Sequence, residues 1–167
     1  GGVSATGFAP LNLWPLTLLC LALLMHLVAS SDSGKRAFLI GWLFGVGHFS
    51  VGNNWIATAF TYQAAMPAWL GWIAVFLLAL YLAVYPALAC WGAWWVAKRV
   101  GRKAGALPMS WPFIFSFSGL WIVAEWLRSW VFTGFSWNPL AIVAIGDYAS
   151  PAIYIGSYGL SGAIAAL

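Results

Sequence analysis

The stretch Trp69-Leu70-Gly71-Trp72-Ile73-Ala74-Val75-Phe76-Leu77-Leu78-Ala79-Leu80-Tyr81-Leu82-Ala83-Val84-Tyr85-Pro86-Ala87-Leu88-Ala89-Cys90 has no charged side chain, and the uncharged run extends over 68–97. A bilayer core about 30 Å thick is crossed by about 20 apolar residues at about 1.5 Å rise each. The run exceeds one crossing, so tilt or a kink at Pro86 is expected. Similar runs lie on both sides. Before it come 11–29, closed by Ser30-Ser31-Asp32-Ser33-Gly34, and 37–60. After it come 112–131 and 151–167. The expected fold is all-α: a polytopic transmembrane helix bundle of about five spans.

Composition excludes the alternatives. Of 167 residues, 63% are hydrophobic and 6% charged, and the mean hydropathy is +0.91. A soluble domain carries about 25% charged residues, so this chain cannot cover a globule with polar side chains. Disorder requires the opposite composition. The net charge of +4 does not point to nucleic acid. Six of the seven basic residues (Lys35, Arg36, Lys98, Arg99, Arg102 and Lys103) sit in two clusters between apolar runs, as membrane topology requires.

Two spans separate the clusters, so both lie on one side of the membrane. The positive-inside rule makes that side cytoplasmic. Loops 30–36 and 98–111 are then cytoplasmic, while 1–10, 61–67 and 132–150, which hold no Lys or Arg, face outward. Thirteen Trp are present. Trp14, Trp55, Trp69, Trp72, Trp111, Trp130 and Trp137 fall near span ends, as an interfacial aromatic belt predicts. Gly41 and Gly45 form a small-xxx-small pair suited to close helix contact. Cys20 and Cys90 lie in apolar runs far from any cation or base. They read as core residues, neither disulfide-bonded nor nucleophilic.

Chemistry-bearing residues are few. Glu125 lies inside the 112–131 span, and Arg128 three residues on shares its helix face, so the two can pair. Intramembrane ions are costly and often functional. Two readings follow: a structural ion pair, or a pair lining a polar cavity open to the outer leaflet, with Arg128 holding a lipid phosphate. Thr133-Gly134-Phe135-Ser136-Trp137-Asn138-Pro139 comes next, an aromatic turn suited to an acyl chain or to the interface. Ser50, Asn53 and Asn54 share a region of the second span with His48 and are expected to bond between helices. His26 is expected to be a satisfied buried imidazole. No His or Cys pair has metal-ligand spacing, and no phosphate loop or Ser/His/Asp set is present.

These residues resemble the bacterial apolipoprotein N-acyltransferases. The resemblance rests on Gly7-Phe8-Ala9-Pro10 with Trp14-Pro15, on Gly41-Trp42-Leu43-Phe44-Gly45 running to Gly52-Asn53-Asn54-Trp55-Ile56, and most specifically on the stretch from Glu125-Trp126-Leu127-Arg128 to Thr133-Gly134-Phe135-Ser136-Trp137. It covers essentially all of 1–167, as the N-terminal transmembrane domain fragment of a larger membrane enzyme. It implies an N-acyltransferase in the bacterial inner membrane. Such an enzyme moves an acyl chain from a phospholipid to a cysteine thioester, then to the α-amino group of the diacylglyceryl-cysteine of a lipoprotein.

The partners implied are a phospholipid donor, a diacylated lipoprotein acceptor and the bilayer, with no nucleic acid and no cofactor. The family's catalytic Glu, Lys and Cys lie in a nitrilase-like domain, so no catalytic residue and no metal ligand is expected in this chain. The fragment alone is expected to be inactive. The resemblance implies that Glu125, Arg128, Gly134, Phe135 and Trp137 lie at the outer membrane face. Their expected roles are substrate binding: Arg128 at a headgroup phosphate, Glu125 orienting it, Phe135 and Trp137 on acyl chains. A transporter or channel subunit, or a purely structural membrane anchor, is the alternative.

Overall fold

The computed structural model describes residues 1–62, 67–104, 109–131, 134–144 and 151–167. Among them every regular element is helical. A 3₁₀ segment, Gly2–Gly7, precedes α1 (Trp14–Ala29), α2 (Gly34–Gly52), α3 (Trp55–Thr61), α4 (Trp69–Leu82), α5 (Val84–Ala104) and α6 (Trp111–Trp130). A second 3₁₀ segment, Leu140–Ala144, leads to α7 (Ala152–Ala166).

Local chemistry sets the boundaries. Pro15 and Pro112 occupy first turns, where a missing amide hydrogen costs nothing. Ser33 caps α2, its hydroxyl oxygen accepting from the Arg36 amide at 3.3 Å. Two expected spans are each divided. The 37–60 run breaks at Asn53 and Asn54, which are poor helix formers after Gly52, leaving α3 as a separate short helix. The 68–97 run breaks at Ala83, one turn before the expected kink residue. Pro86 has no amide hydrogen for the Leu82 carbonyl, so the ladder is interrupted just upstream of the ring. Within α7, Gly156 (φ 71°, ψ 173°) is not helical at all and kinks the element.

The helices pack on small residues. A Cβ at Gly41 would lie 2.9 Å from Ala87 Cα, and one at Gly45 2.8 Å from Ala83 Cα. The Gly41/Gly45 pair therefore does bring α2 onto α5, against a matching stripe of Ala83, Ala87 and Cys90. On α6, Ser118 donates to the Gly162 carbonyl of α7 at 2.5 Å. Phe113, Phe117 and Trp121 fill the centre of the bundle.

The surface is inverted relative to a soluble protein. Leu19, Leu43, Trp72, Leu77 and Phe115 are exposed, while Thr17, His48, Asn53, Ser118, Glu125, Arg128 and Ser161 are buried. Water penalises both halves of that arrangement, whereas hydrocarbon favours the first and polar pairing favours the second. Among the described residues, one run is long and apolar enough to cross a bilayer by itself: Trp69–Val100, 32 residues at mean hydropathy 2.3. α1 and α7 are apolar but shorter.

Both basic clusters lie at one end, since the Trp94 indole of α5 donates to the Ser31 carbonyl of the α1–α2 turn at 2.8 Å. Trp55, Trp69, Trp72, Trp111 and Trp130 are exposed as a belt requires, but Trp137 is buried. His26 is exposed on α1 rather than buried, because the core-facing positions there are taken by Leu21, Leu24, Met25 and Val28. Cys90 is in the core, and Cys20 is half-buried; both are free thiols.

Candidate functional site

The end of the bundle away from the basic clusters gathers the polar residues. Glu125 and Arg128 sit in the last turns of α6, on its inward face. Arg128 Nη2 lies 3.9 Å from Glu125 Oε1, with the two residues 4% and 2% exposed. The pairing expected from their spacing is present, but at the limit of an ion-pair distance. Glu125 Oε1 has closer partners: it accepts from Trp121 Nε1 at 3.0 Å and from the Leu140 amide at 2.7 Å. Glu125 Oε2 has no hydrogen-bond partner among the described residues. The Arg128 guanidinium stands 5.0 Å over the Phe49 ring of α2.

The carboxylate thus fastens the segment that follows α6. Gly134 (φ 66°) and Asn138 (φ 43°) have left-handed backbone, which turns the chain back over the bundle. Leu140 is then held by Glu125, and the Ala141 amide donates to Ser161 Oγ of α7 at 2.9 Å. Ahead of these anchors Phe135 and Trp137 meet edge to face at 4.7 Å. Phe135 is 51% exposed, whereas Trp137 is 8% exposed and belongs to the core.

Below the turn, Gly52 at the end of α2 abuts the Asn138 amide. The expected interhelical bonding of Ser50 and Asn53 is not found. Ser50 Oγ and both side-chain polar atoms of Asn53 have no partner among the described residues, because Asn53 ends α2 and turns inward as its cap. Asn54 points outward. His48 instead bonds to the N-terminal 3₁₀ segment, with Nδ1 2.7 Å from Ser4 Oγ, and is packed by Phe8, Phe44 and Phe49. Ser4 is fully buried and also donates to the Gly1 carbonyl at 2.6 Å, so this Ser/His contact is structural.

The whole chain, residues 1–167, matches the family model described as the apolipoprotein N-acyltransferase N-terminal domain. The chain belongs to this family. Apolipoprotein N-acyltransferases similar to it include that of Nitrosomonas europaea, 38% identical over 96% of this chain and 31% of that protein. That of Chromobacterium violaceum is 37% identical over 83% of this chain and 25% of that protein. That of Shewanella oneidensis is 34% identical over 99% and 31%. The chain thus spans a quarter to a third of the length of these relatives.

Among the described residues, this arrangement fixes the turn after α6 against the bundle. Among the described residues, no buried nucleophile at this end stands beside a base without also having another partner. The transport alternative would use Glu125, His48 and the polar residues of α2; Glu125, His48 and Asn53 are all buried, at 2%, 8% and 1% exposed. Of the expected site residues, the fold pairs Glu125 with Arg128, buries Trp137 and leaves Phe135 at the surface. The expected open cavity at Arg128 is replaced by burial against Phe49. Trp137 does not face lipid, because it is buried as part of the core. Thr133 lies outside the described residues.

Sequence reasoning missed Trp121, Asn138, Leu140 and Ser161. Trp121 could have been found, since it stands four residues before Glu125 and so on the same helix face. The Leu140 amide could not, because a backbone donor leaves no mark in composition.

Proposed function

We propose that this chain is the membrane domain of an enzyme that transfers an acyl chain from a phospholipid to the free α-amino group of a lipoprotein's diacylglyceryl-cysteine. The thiolate of a cysteine outside this chain attacks the ester carbonyl of the phospholipid, forming a thioester and releasing a lysophospholipid. The lipoprotein amine then attacks the thioester and restores the thiol. Two steps on one nucleophile let two membrane substrates visit one site in turn. None of 1–167 performs that chemistry, and residues 1–167 alone are inactive.

This domain anchors the enzyme in the bacterial inner membrane, with 30–36 and 98–111 cytoplasmic and 132–150 periplasmic. It also forms the lipid-facing floor of the site. Gly134 turns the chain, Phe135 meets the donor's acyl chains, and Trp137 holds the turn to the bundle. Glu125 and Arg128 set its position from below, with Arg128 the cation nearest a bound headgroup. The supporting observation is an exposed Phe135 on a turn pinned at Leu140 by a buried carboxylate.

The test uses the full-length enzyme, with Phe135→Ala and Arg128→Ala, and measures the acyl-thioester intermediate. Phe135→Ala is expected to raise the phospholipid concentration needed for half-maximal thioester about tenfold, as the loss of a large apolar contact of about 1.5–3 kcal/mol implies. Arg128→Ala is expected to lower the thioester yield itself. Normal thioester formation in both variants would remove the turn from the substrate site.

A further inference from the structure

At the opposite end of the bundle, a groove of about 540 Å³ runs along α2 and α5, lined by Gly34, Lys35, Phe38, Leu39, Leu88 and Trp91. Its walls are apolar and its mouth carries one cation. Leu39, Leu88 and Trp91 are exposed along it. The helical repeat places Lys98 on the same face of α5 as Trp91, about two turns further toward the C-terminal end of the helix. Arg99 stacks on Trp95, its Cζ 3.8 Å from the ring centroid.

Charge at this end is unbalanced. Asp32 is the one carboxylate side chain there among the described residues, and Arg36 takes it at 3.0 Å. Lys35 and Lys98 have no ion-pair partner among the described residues. A cation at the rim above an apolar channel matches a molecule with an anionic head and hydrocarbon tails. In a bilayer the abundant molecule of that kind is an anionic phospholipid, and basic pockets between spanning helices have that chemistry.

We propose that the α2–α5 groove is a binding site for an anionic phospholipid. Its phosphate lies between Lys35 and Lys98, and its acyl chains lie along Phe38, Leu39, Leu88 and Trp91. The site is at the far end of the bundle from Phe135 and does not depend on the acyl-transfer reading. It holds a resident lipid against the bundle rather than a reacting one.

The test titrates full-length protein in detergent with palmitoyl-oleoyl phosphatidylglycerol, or with the phosphatidylcholine of the same chains, and counts bound lipid by native mass spectrometry. Wild type is expected to bind phosphatidylglycerol saturably and in preference. Lys35→Ala is expected to weaken it about fivefold and Lys35→Ala/Lys98→Ala about 25-fold, with phosphatidylcholine unchanged. Leu88→Trp, which fills the channel, is expected to weaken both lipids. Leu39→Gln replaces it if Leu88→Trp lowers the thermal transition.

Thioester formation at saturating phospholipid is expected to be unchanged in Lys35→Ala, which separates this site from the donor site. Unchanged phosphatidylglycerol affinity in the double variant would overturn the headgroup assignment. Unchanged affinity in the channel variants would overturn the groove.

Discussion

Glu125 is a carboxylate almost sealed from solvent, so what it touches decides what the end of the bundle away from the basic clusters is. Its Oε1 receives an indole N–H from its own helix and a backbone N–H from 15 residues downstream, and Arg128 neutralises it. Breaking a buried pair by removing one partner leaves an uncompensated charge, at about 3–5 kcal/mol. Glu125→Ala is therefore expected to destabilise the domain by that amount in thermal unfolding in detergent. Glu125→Gln keeps an acceptor for Trp121 and Leu140 but leaves Arg128 unpaired. Glu125→Gln/Arg128→Met removes both charges and should be less destabilised than the two single changes summed. A Glu125→Ala change within about 0.5 kcal/mol of wild type would mean the pair is not seated as described. The pair itself was legible in the sequence, since residues three apart on a helix face one another. Its burial was not: the same spacing serves an open cavity and a closed core, and only the return of 134–140 over α6 distinguishes them.

Among the elements, the contact between α2 and α5 is the tightest test of small-residue packing. Gly41 and Gly45 were readable as one half of it, but Ala83, Ala87 and Cys90, the facing half, lie in an apolar run where small residues draw no attention. Gly45→Ala would place a methyl group 2.8 Å from Ala83 Cα, and backbone cannot yield as a side chain end does. It is expected to cost about 1–3 kcal/mol and to separate the helices, read as a lowered thermal transition. Two further glycines separate space from conformation, since neither has an atom within 4 Å of an added Cβ. Gly119 is inside α6 with ordinary helical backbone, so Gly119→Ala should be neutral or stabilising by up to about 1 kcal/mol. Gly156, at φ 71° and ψ 173°, lies where only glycine rests comfortably, so Gly156→Ala should destabilise by about 1–3 kcal/mol. Equal effects from the two would show that the α7 kink is not held. Hydropathy located the apolar runs but not their breaks: the Asn53 turn and the Gly156 kink each rest on one residue's backbone, and a window of apolar neighbours averages it away.

For the whole molecule, the exchange of apolar outside for polar inside is what a hydrocarbon solvent selects, and it leaves one property to the sequence of charges: which end faces the cytoplasm. The bundle has two chemically different ends. One holds the α1–α2 turn and the last turns of α5, joined by Trp94 and Ser31, with Lys35 and Lys98 lacking an ion-pair partner among the described residues. The other holds the first residues, the Asn53–Asn54 turn and the aromatic turn, and its one cation, Arg128, is buried. Translocating the first end would carry six cations against one carboxylate side chain across the membrane, which the insertion machinery resists. In a full-length variant with Cys20→Ala, Cys90→Ala and every cysteine outside 1–167 also replaced by Ala, single cysteines at Leu11 and Asn54 are therefore expected to react with an impermeant maleimide added to spheroplasts. Cysteines at Asp32 and Met109 are expected to react only once the membrane is opened. The reverse pattern would place the aromatic turn in the cytoplasm, away from a lipoprotein that has already crossed. It would overturn the acyl-transfer floor proposed for Phe135 while leaving the α2–α5 lipid groove intact, because that groove requires only that the basic end meet a headgroup layer.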